Sequence, residues 1–496
     1  MRESGILLPI SSLPSQYGIG CFSKEAYEFV DQLALANQKY WQILPLGPTS
    51  YGDSPYQSFS TYAGNPYFID LNTLIEEGVL TKKECDLADF GSDSRFIDYG
   101  KLYKARYKLL RKAYERSNIS QNPEFQTFQE ENAWWLDDYA LFMAVKGFFQ
   151  DECWDKWPED IKKRYGYALD YYREQLYFEI EFQKYMQFEF SIQWKKLKTY
   201  ANENGIRIIG DIPIYVAYDS ADTWAHPELF QLDEENVPLA VAGCPPDGFA
   251  ADGQLWGNPL YRWDYHRRTG YTWWMQRLSY AFYLYDVVRI DHFRGFDEYF
   301  SIPYGDTTAR NGHWEKGPGI ELFHRMKEVL GERDVIAEDL GYVTDSVRQM
   351  VFESGFPGMK VFEFAFDSRD TGCAGDYLPH NYPVNSVVYT GTHDNATLIG
   401  WYQDIPKEGR EMLRDYIHDY TTSDRSLHWS VICRVMGSPA RICMIPMQDY
   451  LGLNNTCRIN TPSTLGTNWK WRLLDGEFTS DLQNKIKKLV RIYQRN

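Results

Sequence analysis

The chain has 496 residues, of which 44% are hydrophobic and 24% charged, and carries a formal charge of −17. This composition permits a large buried core and lies far from that of disordered chains. The negative charge, with no long Lys/Arg run to offset it locally, excludes nucleic acid as a natural partner. The opening MRESGILLPISS lacks a basic stretch followed by a long apolar core, and no segment approaches the roughly 18 to 20 apolar residues of a membrane span. A cytoplasmic location is expected.

Eight apolar runs rich in Val, Ile and Leu follow one another, each bounded by polar or helical sequence, as buried parallel strands do. They are Gly5 to Ile10, Tyr40 to Leu46, Ile206 to Val216, Val287 to Phe293, Val335 to Leu340, Met359 to Phe366, Ser386 to Asp394 and Arg441 to Met447. Between the first two, Ser23 is a plausible N-cap and Ala26, Phe29, Val30 and Leu33 fall on one helical face. Helical patterns recur after the later runs, for example Ile320 to Leu330 and Thr344 to Phe352. Eight alternations of strand and helix predict an α/β protein, a (β/α)₈ barrel, rather than a doubly wound sheet.

Two connections are too long for simple crossovers. Residues 71–204 hold long helical stretches such as Phe125 to Phe149 and Leu169 to Tyr200, which predicts an inserted, mainly helical subdomain. Residues 217–285 are dense in Gly, Pro and aromatics, which predicts an inserted loop subdomain, since structureless loops of this length are uncommon. After the eighth run there is room for a final helix near Asp481 to Tyr493 but not for a C-terminal β-sandwich.

The eight cysteines form no CxxC, so no zinc site or disulfide framework is signalled. The 16 Trp and 38 Tyr fill a core first, and their density also suits a groove that stacks on sugar rings.

Barrel enzymes carry their chemistry at the C-terminal ends of the strands. Here the third run carries Asp211, the fourth Arg289 and Asp291, the fifth Glu338 and Asp339, and the seventh ends in His393 and Asp394. A single acidic strand end is usually a helix cap or a solvated side chain; four together indicate a site. Period-two alternation puts Arg289 and Asp291 on one face, where the guanidinium would lower the carboxyl pKa, as a nucleophile requires. Glu338 follows Val335, Ile336 and Ala337, and desolvation there would raise its pKa and keep it protonated as an acid. Such a pair suits retaining glycoside chemistry, with the carboxyls roughly 5 to 5.5 Å apart. Asp394 is a third carboxylate, which with His393 would bond sugar hydroxyls. Periodicity alone leaves Glu338 and Asp339 both open. A metal centre built from His292, Asp291, His393 and Asp394 is disfavoured, because neighbours on a strand point to opposite faces and no HExxH accompanies them.

The segments GILLPISSLPSQYGIG, WQILPLGPTSYGDSPYQSFSTYAGNPY, GDIPIYV, PPDGFAADGQLWGNPLYRW, VRIDHFRGF, IAEDLG, GTHDN and QDYLGLNNTCRINTPSTLGTNWKWRL occur in this order along nearly the whole chain. In them the chain resembles the 4-α-glucanotransferases, or amylomaltases, of the α-amylase superfamily. The resemblance implies Asp291 as nucleophile, Glu338 as acid/base and Asp394 as transition-state stabiliser. It also implies sugar contacts from Asp211, Arg289 and His393, and subsite roles for Tyr56, Trp256, Asn258, Pro259, Asp247 and Phe249. No cofactor or metal is implied. The partners would be donor glucans such as maltodextrin, amylose or glycogen-derived chains, with glucose or malto-oligosaccharides as acceptors. Two positions depart from relatives: Gly248 follows Asp247 where some carry an aromatic, and Phe300 stands where many have Trp. An α-1,4-glucan hydrolase and a non-catalytic glucan-binding barrel are the alternative readings.

Overall fold

The computed structural model describes residues 2–50, 52–246, 251–341, 343–366 and 374–496. Twelve strands occur among them: β1 (Glu3–Leu7), β2 (Tyr40–Gln42), β3 (Arg207–Ile212), β4 (Ala240–Cys244), β5 (Gln254–Pro259), β6 (Val287–Ile290), β7 (Glu298–Pro303), β8 (His313–Lys316), β9 (Val335–Ala337), β10 (Gly358–Val361), β11 (Ser386–Tyr389) and β12 (Ile442–Pro446). Eight of these, β1, β2, β3, β6, β9, β10, β11 and β12, close into one parallel barrel in that order. Each corresponds to one of the eight apolar runs of the sequence. The strands are nonetheless shorter than the runs, which continue into the loops above the barrel.

The helices form where an apolar stripe at 3.6-residue spacing can be laid on the barrel. Helix Lys24–Leu35 begins after Ser23 and buries Ala26, Phe29, Val30 and Leu33, the four residues that share its predicted face. Helix Asp345–Ser354 is capped by the Thr344 side chain, which accepts from the Val347 N–H, and ends at Gly355 in the left-handed region. Helix Ser480–Ile492 returns the chain to the base of the barrel. Gly210 in β3 is required by crowding, since a Cβ there would lie 2.1 Å from the Tyr285 ring.

Between β2 and β3 the chain builds the long helices Tyr99–Ser117, Pro123–Phe148 and Tyr177–Glu203. The helical stretch Leu169 to Tyr200 falls in two helices, Gly166–Gln175 and Tyr177–Glu203, which meet at Leu176. Trp135, Tyr139, Phe142, Trp154 and Trp157, with Trp224 from beyond β3, form a second hydrophobic cluster separate from the barrel core. The stretch between β3 and β6 is more regular than its Gly and Pro content suggests. It supplies β4 and β5, which join β7 and β8 in an antiparallel sheet ordered β5-β4-β7-β8, and it ends in helix Thr272–Leu284. Phe300 is buried in this sheet with its ring 5.1 Å from that of Trp314, so a phenyl ring fills this position. Among the described residues no helix is long and apolar enough to cross a membrane.

Candidate active site

A cleft of about 610 Å³ opens above the C-terminal ends of the barrel strands. Asp291, Glu338 and Asp394 all line it, together with Tyr56, Trp256 and Asn258.

The first two carboxylates are fixed by the barrel itself. Although β6 ends at Ile290 and β9 at Ala337, the ladder of hydrogen bonds runs one residue further. The Asp291 N–H donates to the Ile212 carbonyl at 3.0 Å and the Glu338 N–H to the Ile290 carbonyl at 3.1 Å. Beyond this point the chain turns: His292 adopts φ +50°, in the left-handed region. Its N–H thereby reaches Glu338 Oε2 at 2.7 Å, while the Leu340 N–H donates to Oε1 at 2.8 Å. Both oxygens of Glu338 are thus oriented by main-chain donors, and one of these belongs to the residue next to Asp291. Asp339 points away, accepting from the Met359 N–H at 2.7 Å. The choice that periodicity left open falls on Glu338 as the residue facing the cleft.

Beneath the cleft lies a buried ion-pair network. The β3 and β6 register sets Asp211 beside Arg289. The Arg289 Nη1 donates to both oxygens of Asp211, at 2.8 and 2.6 Å, and lies 3.0 Å from Asp291 Oδ1. The Tyr56 hydroxyl donates to Asp211 Oδ2 at 2.8 Å. Asp211, Arg289 and His393 are 1%, 3% and 2% exposed. They lie under the cleft rather than in its lining, because their polar atoms are turned toward one another, toward Tyr56 and toward the carboxylates above.

The electrostatics separate the three carboxylates. Burial pushes Glu338 up to about 8, with Arg289 the largest opposing influence and Asp291 adding to the rise. Asp291 is also pushed up, to about 6, by burial, against the lowering effect of Arg289. The expected depression of Asp291 by Arg289 is therefore outweighed. Desolvation disfavours the charged form more than one shared guanidinium favours it, with Asp211 and Asp394 adding like-charge repulsion. Asp291 nonetheless stays below Glu338, and its side chain keeps 28% of its surface open to the cleft. Asp394 moves the other way. Burial raises it, but His393 and the amide of Asn460 more than offset that and hold it well below the usual carboxylate range.

His393 and Asp394 follow β11 after a gap, in a turn where the Thr392 N–H and hydroxyl both donate to Asn395 Oδ1. His393 Nε2 lies 3.3 Å from Asp394 Oδ2, so these chain neighbours face each other. His292 likewise lines the same cleft as Asp291. Opposite-face alternation fails for both pairs, because each lies beyond the last regular strand residue. Among the described residues no group of three or more His, Cys, Asp or Glu side chains converges to hold a metal ion.

The walls are aromatic. Trp256 meets the His292 ring edge-on at 4.8 Å. Asn258 tethers the wall, its amide donating to the Val216 carbonyl at 2.8 Å and its oxygen accepting from Gln57 at 3.1 Å. Pro259 is buried opposite Val241 in the β4 and β5 pairing and does not line the cleft. Asp247 and Phe249 lie outside the described residues. The sequence reading assigned no role to His292 beyond the metal alternative, and none to Asn460 or Trp469, which also line the cleft. The motif NTPSTLGTNW was visible, but nothing local in it places Asn460 beside Asp394.

A closed parallel barrel with carboxylates of divergent acidity in an aromatic cleft at its C-terminal face defines a barrel enzyme suited to glycosidic bonds. The family itself follows from comparison. A family model described as 4-alpha-glucanotransferase matches residues 8–477, and the chain belongs to that family. A 4-alpha-glucanotransferase of Clostridium butyricum is 50% identical over 98% of this chain and 99% of its own length. One from Streptococcus pneumoniae is 47% identical over 100% of this chain and 97% of its own. The structure of amylomaltase from Streptococcus agalactiae in complex with acarbose matches with a TM-score of 0.96 at 41% identity, covering 100% of both chains. The protein is thus an enzyme with 4-alpha-glucanotransferase activity.

Proposed function

We propose that the transfer is a retaining double displacement centred on Asp291 and Glu338. Asp291 attacks the anomeric carbon of a donor α-1,4-glucan while Glu338 gives its proton to the departing 4-oxygen, which breaks the glycosidic bond and leaves a glycosyl ester on Asp291. The 4-hydroxyl of an acceptor then attacks the same carbon, returns its proton to Glu338 and releases Asp291. The observation that carries this reading is geometric: Asp291 and Glu338 line one cleft at the C-terminal face of the barrel, with Glu338 fixed in orientation by the His292 and Leu340 N–H groups and pushed up by burial.

Asp394, kept ionised, stabilises the positive charge that develops on the sugar ring. Asp211 acts from below by anchoring Arg289, and Tyr56 and Trp256 shape the adjoining subsites. The donors are maltodextrin, amylose or glycogen-derived chains and the acceptors glucose or malto-oligosaccharides, a reading supported by the acarbose bound to the Streptococcus agalactiae relative. The antiparallel sheet supplies Gln254, Trp256 and Asn258 to the cleft wall, consistent with shielding the ester from water so that an acceptor sugar is preferred.

Incubation with maltotriose tests the scheme. The wild type yields glucose and a ladder of longer maltodextrins, and Asp291→Ala yields neither. A normal ladder from Asp291→Ala would overturn the assignment of the nucleophile.

A further inference from the structure

The three carboxylates are not held in the same way. Asp291 and Glu338 are carried by the barrel ladder, each bonded through its own N–H to a neighbouring strand. Asp394 has no such support, because β11 ends at Tyr389 and the chain then enters a turn. Within its own turn its N–H donates to Thr392 Oγ1 at 3.2 Å and its Oδ2 faces His393, and the remaining support comes from the loop after β12. The Asn460 amide donates to Asp394 Oδ1 at 2.6 Å, and the Asn460 N–H donates to the His393 carbonyl at 3.1 Å. Arg458 closes the arrangement: its Nη2 donates to the Asp394 carbonyl at 2.5 Å and its Nε to the Asn460 carbonyl at 2.6 Å.

We infer that Arg458 is a positioning residue for the transfer reaction, clamping the main chain of Asp394 to that of Asn460 so that the third carboxylate is held in its working orientation. The inference rests on the role given to Asp394 above. The guanidinium fork suits the task, because Nε and Nη2 lie in one plane and satisfy two carbonyls from different loops at once. A lysine at this position keeps the charge but presents a single ammonium on a flexible stem. The clamp also links Asp394 to the rim of the cleft, since Pro462, Ser463 and Trp469, on the same loop, line it. Positioning errors near 1 Å are enough to cost about a hundredfold in rate, so loosening the clamp acts on turnover more than on binding.

The test compares wild type, Arg458→Lys, Arg458→Ala, Asp394→Asn and the double variant Arg458→Lys/Asp394→Asn, with maltotriose and with α-maltotriosyl fluoride as donors. Arg458→Lys is expected to lower kcat about 10- to 100-fold with KM within about twofold. The loss should be the same for both donors, because fluoride departs without the Glu338 proton whereas Asp394 serves either donor. Added guanidinium should restore part of the kcat of Arg458→Ala and none of that of Asp394→Asn. Arg458→Lys should cost nothing further in the Asp394→Asn background. Unchanged kcat in Arg458→Lys, a loss confined to maltotriose, or fully additive losses in the double variant would each overturn the inference. Normal transfer by Asp394→Asn would instead overturn the role of Asp394, so the two failures are distinguishable.

Discussion

Tyr56 lies almost parallel to His393, with ring centroids 5.1 Å apart and planes 13° from parallel, and its hydroxyl reaches past the imidazole to Asp211. One side chain thus joins the turn that carries Asp394 to the Asp211–Arg289 ion pair that faces Asp291. Tyr56→Phe keeps the stacked ring and removes only the hydroxyl, leaving Asp211 with Arg289 alone. The expected result is a fall of about tenfold in kcat/KM for maltotriose disproportionation, the worth of roughly one hydrogen bond to a charged group. Tyr56→Ala also removes the stacking and should lose more. Steady-state kinetics on the two variants measure the difference directly.

The acidities of the two central carboxylates predict a bell-shaped pH dependence. Productive enzyme has Asp291 ionised and Glu338 protonated. Activity rises as Asp291 loses its proton near 6 and falls as Glu338 loses its own near 8, so kcat/KM is maximal between them. The limbs belong to the interacting pair rather than to either residue alone. With α-maltotriosyl fluoride, which needs no proton on departure, Glu338→Gln should retain formation of the glycosyl-enzyme and lose the alkaline limb. Persistence of that limb in Glu338→Gln would assign it to another group.

The eight barrel strands, and Asp291 and Asp394 at their ends, were legible in the sequence because both rest on local patterns, apolar runs and the acids that close them, whereas the choice of Glu338 over Asp339 came from the family resemblance and not from periodicity. What was not legible depends on where a strand stops. The run Val287 to Phe293 reads as one strand, yet the ladder ends at Asp291 and His292 turns left-handed, which brings its ring into the cleft and its N–H onto Glu338. The rise at Asp291 was hidden for another reason. Sequence shows the guanidinium two residues away but not the burial that outweighs it. Arg458 and Asn460 meet His393 and Asp394 across more than sixty residues, and no periodicity records such a contact.

Away from the cleft, Glu189 on helix Tyr177–Glu203 is pushed up to about 8, first by burial and then by Glu77, with Lys196 and Gln193 opposing. A carboxyl whose folded pKa is raised binds its proton more tightly in the native state. Its effect on stability is therefore absent below the unfolded value near 4.5, becomes increasingly unfavourable as pH rises, and levels off above about 8. Glu189→Gln removes the ionisation. The variant should match wild type in unfolding free energy near pH 4.5 and exceed it at pH 8.5 by a few kcal/mol at most, with a correspondingly higher melting temperature. Parallel melting curves at both pH values would show that the carboxyl ionises without cost.

Arg495 is fully buried at the base of the barrel, the end opposite the cleft. Its guanidinium donates to the carbonyls of Met436, Glu3, Ala440 and Ser438, which flank the starts of β1 and β12, where the barrel closes. Arg495→Met keeps much of the volume but takes this donor from the carbonyls of Met436, Glu3 and Ala440, each loss costing about 1 kcal/mol where water cannot reach, while the Ser438 carbonyl keeps its bond from Arg2. Stability to urea should fall by roughly 3 kcal/mol. Because the loss arises at the far end from Asp291 and Glu338, kcat per folded molecule at low temperature should remain at the wild-type level. A fall in kcat without a shift in the urea midpoint would mean that the base of the barrel is coupled to the cleft rather than serving closure alone.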